Sequence, residues 1–200
     1  MAIKFQYNKT SLQQINKQLK VRERALPTLK NKEAALRVEV KKAKTTAEEY
    51  DEKLKHQLQS YQHVIELWGE FDNDLVAIDD VVLSVKKIAG VKTPILDDVI
   101  FSVKEFSLFN NPAWYLDGIT IIKELAQIAI EREVFNQKMQ LLDHARRKTT
   151  QKVNLYEKVQ IPGFEDAIRK IKRYLEDEEN LSKAAQKIVK TRIQEMEENA

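Results

Sequence analysis

The chain has 200 residues, 32% of them charged, with 34 Lys and Arg against 31 Asp and Glu and a formal net charge of +3. A mixed-sign surface of this kind argues against nucleic acid as a partner, because phosphate binding needs a clustered excess of cations. The absence of cysteine excludes disulfides, zinc thiolates and thiol nucleophiles, and four Gly and four Pro are too little punctuation for a compact fold of many elements, so long helices are expected.

No direct membrane insertion is expected. The most apolar stretch, residues 119–130, is interrupted by Lys123, Glu124 and Gln127, and Met1–Thr10 has no apolar run of the secretion-signal type.

From Leu12 the sequence steps by three and four through Ile15, Leu19, Arg22, Leu26, Leu29, Glu33, Leu36, Val40, Ala43, Ala47, Tyr50, Leu54, Gln57, Tyr61, Val64 and Trp68. Only Arg22, Glu33 and Gln57 break the apolar pattern. A narrow stripe sustained for so many heptads predicts a coiled-coil helix, which buries a single seam and therefore needs a partner helix. At ~1.5 Å per residue, about 57 residues make a rod of roughly 85 Å. Asn8 or Thr10 is the expected N-cap, Thr10 with Gln13 in a capping box. Pro27 costs the helix a hydrogen bond, and a tolerated kink is expected there because the heptad phase is the same on both sides.

After Trp68 and Gly69 the period changes to two. Val81, Leu83 and Val85 oppose Ser84 and Lys86, and Val99, Phe101 and Val103 oppose Ser102 and Lys104. With Ile88-Ala89-Gly90-Val91-Lys92-Thr93-Pro94 between them as the loop, these runs predict a β-hairpin. An isolated hairpin is marginal in water, so it should lean on the helices or on a partner, with Phe106, Leu108 and Phe109 supplying contact.

A second helix should start at Asn111-Pro112 or at Asp117. Its seam runs through Ile121, Leu125, Ile128, Arg132, Phe135, Met139, Leu142, Arg146, Thr149, Val153 and Tyr156. The phase shifts near Ile161-Pro162-Gly163 and resumes with Phe164, Ile168, Ile171 and Leu175; Leu181, Ala185, Ile188 and Val189 form the apolar face of a strongly charged last part. The expected fold is all-α dominated: a long antiparallel two-helix coiled coil with a short β-hairpin insertion at the turn-around end. Its parts are residues 1–72, 73–111 and 112–200.

Several local runs sharpen this reading: Val153-Asn154-Leu155-Tyr156-Glu157, then Ile161-Pro162, Ile168 and Ile171-Lys172; Leu29-Lys30-x-Lys32 with Leu36; and the turn Gly90-Val91 with Pro94. They resemble the D subunits of the V-type (archaeal and bacterial A/V-type) rotary ATPases, over nearly the whole chain. Leu155 stands one place early relative to the family's Val-Asn-x-Leu-Glu run, and Thr149-Thr150-Gln151-Lys152 replaces the Arg pairs often found before it. The resemblance implies a non-catalytic central stalk without a cofactor. Its implied partners are the hexamer of A and B subunits, the F subunit and the subunit that couples to the membrane ring, all on the cytoplasmic face of a membrane. Candidate partner contacts are Arg22 and Arg146 on the seams and Val99, Phe101 and Val103 in the insertion.

Plainer readings compete. Arg22 and Arg146 would equally set helix register or reach out to water. His56, His63 and His144 lack a metal-ligating carboxylate at a useful spacing, no phosphate loop surrounds Gly90 or Gly163, and Glu176–Glu179 reads as a solvated face. Trp68, Trp114 and Tyr115 read as packing residues. The competing functions are a cytosolic coiled-coil adaptor or scaffold without a motor, and a lipid-binding helical module. A generic scaffold has no need of the hairpin, and a lipid binder should segregate its cations onto one face.

Overall fold

A computed structural model describes residues 3–62, 69–72, 74–107, 109 and 111–198. In chain order the elements are α1 (Lys9–Ser60), β1 (Val76–Ile88), β2 (Val91–Val103), α2 (Tyr115–Leu155), a π turn (Tyr156–Gln160) and α3 (Ile161–Glu198). The chain divides into two compact units. One comprises Met1–Asn31 with Thr149–Ala200, the other Lys32–Lys148.

Asn8 caps α1. Its Oδ1 accepts the Ser11 N–H at 2.6 Å, so the helix begins one residue before the alternative cap, Thr10. Pro27 stays inside the helix. Every described position of the predicted α1 stripe is buried or half-buried, Arg22, Glu33 and Gln57 included. The helix closes at Ser60, whose hydroxyl donates to the Gln57 carbonyl at 2.7 Å; Val64 and Trp68 lie outside the described residues.

In the first unit, α1 pairs antiparallel with α3. Ile15, Phe164, Ala167, Ile168 and Ile171 form the buried core, with Ile3, Phe5, Leu12, Leu19 and Leu175 packed around it. Fully burying an aliphatic side chain contributes ~1.5–3 kcal/mol, so this row is what holds the two helices together. Ile161 donates its N–H to the Tyr156 carbonyl, five residues back, and closes the π turn. The predicted phase shift falls at this place: the covered positions run Thr149, Val153, Tyr156 before the turn and Phe164, Ile168, Ile171 after it.

In the second unit, Leu36, Ala43 and Leu142 are buried together, and Tyr50 stacks on Phe135 with ring centroids 5.5 Å apart. A second core gathers Phe71, Leu75, Tyr115 and Ile119, with Val76, Phe106 and Trp114 against it. The Tyr115 hydroxyl donates to the Glu70 carbonyl at 2.6 Å, so Trp114 and Tyr115 are packing residues. Helix α2 starts at Tyr115, between the two predicted starts, after a turn in which the Tyr115 N–H bonds the Pro112 carbonyl.

The hairpin differs from its sequence reading in one respect. The loop is not Ile88–Pro94 but the pair Ala89-Gly90, with φ of 49° and 79°, and Ile88 pairs with Val91. Two positive φ values make the turn whose twist matches that of the strands. Pro94 sits within β2 opposite Val85; a two-stranded sheet has only edge strands, where a missing N–H is tolerated. Ile88 and Val91 pack on the Leu36–Leu142 cluster, so the turn rests on the helix pair. Phe106 supplies contact as expected, Phe109 is fully exposed, and Leu108 lies outside the described residues.

Candidate partner-binding surfaces

The residues of the three sequence motifs divide between core and contact roles. Leu36 and Ile171 are fully buried, Val153 and Ile168 nearly so, and Leu29 and Ile161 half-buried, while Asn154 and Pro162 are exposed. Lys30 Nζ meets Glu157 Oε1 at 2.7 Å and ties the first-helix motif to the Val153–Glu157 motif. Both side chains are about half exposed, so the pair contributes little stability, ~0–1 kcal/mol. Its value is as a marker of register. Lys32 is exposed, with its Nζ 3.6 Å from where a Cβ on Gly90 would project; Val91 and Pro94 beyond the turn are half-buried.

Arg22 and Arg146 are held inside the chain. Arg22 Nε donates to Gln160 Oε1 at 2.8 Å, a second nitrogen donates to the Gln18 carbonyl, and the guanidinium lies 4.7 Å from the Phe164 ring centroid. Arg146 bridges Asp143 at 2.7 Å. The hydrogen bond from Arg146, with Arg147 beside it, holds the Asp143 carboxyl below its ordinary range. In the hairpin, Val99 and Phe101 are half-buried and Val103 is just exposed. The large apolar residues of the hairpin turned most to solvent are Val85, Ile78, Leu83 and Ile100.

A feature of the hairpin lies outside the motifs. The register slips twice, leaving Asp79 extra on β1 and Asp97 extra on β2. Around each slip the same bonds recur: Asp79 accepts from the Ser102 hydroxyl at 2.7 Å and Asp97 from Ser84 at 3.0 Å, while Asp80 and Asp98 each accept the next residue's N–H at 2.8 Å. A β-bulge bends and twists its strand, and inward-bonded carboxylates blunt an open edge. The sequence carries the signal as a repeat, Ile78-Asp79-Asp80-Val81 and Leu96-Asp97-Asp98-Val99.

Two polar atoms interrupt the second unit's seam. Arg132 pairs with Asp51 at 3.1 Å, yet its Nε and the Gln57 Oε1 are buried without a hydrogen-bond partner. Asp51 is held below the ordinary carboxyl range chiefly by its hydrogen bond to Lys55, then by Arg132.

Among the described residues the longest unbroken run of exposed side chains is the last part of α3. From Glu176 to Glu197 every side chain is exposed, although Ala185, Val189, Ile193 and Met196 follow one another at helical spacing. Among the described residues no group of His, Cys, Asp and Glu is placed to hold a metal ion, and no helix is long and apolar enough to cross a membrane; His63 and Trp68 lie outside them.

These features define a mostly helical protein whose helices pair antiparallel in each unit, with a β-hairpin inserted between α1 and α2. The chain belongs to the family of ATP synthase D subunits, whose model matches residues 11–191. It is 31% identical over 193 residues to the V-type ATP synthase D subunit of Borreliella burgdorferi, covering 95% of each chain. It is 32% identical over 178 residues to that of Chlamydia muridarum, covering 86% of this chain and 88% of the other, and 28% identical over 205 residues to that of Chlamydia pneumoniae, covering 97% and 95%.

Proposed function

We propose that this chain is the non-catalytic central shaft of a rotary V-type ATPase, carrying torque between a hexamer of A and B subunits and the ion-translocating ring of the membrane. The observation that carries the reading is the family match across residues 11–191. Nucleotide chemistry belongs to the hexamer in this reading, and the shaft needs no cofactor. It works on the cytoplasmic face of the membrane, within a peripheral complex.

The physical demands on a shaft agree with the observed surfaces. A seam of buried aliphatic residues keeps two helices from sliding, while a charged exterior makes contacts that break cheaply, since exposed ion pairs are worth ~0–1 kcal/mol. The uncovered part of α3 is the part we assign to the hexamer's central hole, with Ala185, Val189 and Ile193 as its apolar face. The F subunit and the coupling subunit are assigned to the outer helix faces and the hairpin, with Val99, Phe101 and Val103 among their contacts. Arg22 and Arg146 serve partners there only by giving up bonds to Gln160 and Asp143.

The test is reconstitution of the full chain with A, B and F subunits. A purified complex with all four, whose ATPase activity falls when residues 178–198 are removed, is the expected result. A chain that assembles with none of them is an adaptor instead.

A further inference from the structure

The π turn sits where the covered face of the second helix changes phase. Before it, covered positions fall at Thr149, Val153 and Tyr156; continued in steps of three and four, that seam would pass through Gln160, Gly163 and Ala167. After it, the buried positions Phe164, Ile168 and Ile171 stand one residue further toward the C-terminus than that series, with Ala167 buried between them. A π turn holds one residue more than an α turn, which is the displacement required. Its place in the chain has a local cause. Pro162 has no N–H to donate and its ring crowds the carbonyl four residues back, a conflict that the wider turn immediately before it relieves. Contacts to α1 bracket the turn: Lys30 to Glu157, Arg22 to Gln160, and the Arg22 guanidinium against Phe164.

We infer that the π turn is a phasing joint that sets the angle of α3 about its own axis. One residue is worth ~100° of rotation in an α-helix, so a regular helix from Thr149 onward would turn Phe164, Ile168 and Ile171 out of the seam. The consequence extends beyond the core. The positions Leu175, Ser182, Ala185, Val189 and Ile193 continue the same face along uncovered α3, so the direction in which its apolar face points is fixed at residues 156–160. This property of the single chain holds whatever the chain assembles with.

The experiment removes the extra residue and then returns it elsewhere. The parent chain has no cysteine, so thiols introduced as Tyr7→Cys with Tyr174→Cys and joined by a short bifunctional thiol reagent report the register beyond the turn; in the parent the two ring centroids lie 4.9 Å apart. Lys158→Ala, which changes a side chain but not the count, leaves the thermal midpoint and the crosslinking rate as in the parent. Deletion of Lys158 lets the turn close as regular α-helix with Phe164, Ile168 and Ile171 still on the seam, so crosslinking stays as in the parent. Inserting one alanine after Asn154 without the deletion turns those residues ~100° away, lowers the midpoint by roughly 10 °C or more and slows crosslinking about tenfold. Deleting Lys158 while inserting one alanine after Asn154 restores both, since the residue count between the two seams is again correct. A deletion that loses crosslinking as the insertion does overturns the inference. So does an insertion that melts and crosslinks like the parent.

Discussion

The two halves of α3 are written in the same alphabet and end differently. Residues 161–175 and 176–198 both carry an apolar row at helical spacing, and both are laced with local ion pairs, Asp166 to Lys170 and Glu179 to Lys183. In the first half that row is buried against α1; in the second every described side chain is exposed. The difference is one of supply. Helix α1 begins at Lys9, and no described element lies over α3 beyond the turns that face it. Periodicity therefore marks a face that can be covered, and only a second surface determines whether it is.

The strongest test of this contrast places a charge on each kind of face. Leu36→Asp, at a position with no solvent exposure, is expected to cost about 4–5 kcal/mol and to lower the melting midpoint by more than about 8 °C. Val189→Asp on the uncovered face should leave the midpoint of the isolated chain unchanged. A drop with Val189→Asp would mean that this face is covered in the chain alone. Truncation gives the next largest difference: Ile171→Ala should cost about 2–5 kcal/mol, whereas Ile193→Ala should cost less than ~0.5, both read by chemical denaturation.

Smaller effects refine the rule. Gln57→Leu removes a buried carbonyl that has no partner and should stabilise the chain by about 1 kcal/mol; a lower midpoint would show that water or another group satisfies the amide. The smallest difference is in acid. Hydrogen bonds to Lys170 and Lys183 hold the Asp166 and Glu179 carboxyls below their ordinary values. A depressed folded pKa means that the unfolded chain binds more protons during acidification. The stabilisation is therefore complete above the unfolded value near ~4 and is lost as pH falls through the folded value. Lys170→Ala should reduce the fall of the midpoint between about pH 5 and pH 3. Lys183→Ala should leave that fall unchanged and reduce only the helical signal of the uncovered half.

Much of the candidate site was legible from side-chain spacing. The α1 stripe from Leu12 to Tyr61 and the α2 stripe from Ile121 to Tyr156 are covered as read, because a heptad row follows from helix geometry alone. The hairpin turn was misread because Pro94 resembles loop punctuation and Ala89 is an unusual residue at positive φ. Both fit only once the pairing of two edge strands is known. The tie of Arg22 to Gln160 was not legible either, since those residues are 138 apart in the chain and their meeting depends on which faces pack.

The order of residues is enough to establish long helices around a β insertion, the rows of side chains that seek cover, and the resemblance to the D subunits of rotary ATPases. Spacing, breakers and motifs are local, and the backbone reads them locally. Three further features came from packing: the hairpin turn lies on Leu36, a π turn restores the seam across Pro162, and the last half of α3 is left uncovered. Each of these depends on where a second surface stands, and burial is a property of two surfaces rather than of one stretch of chain.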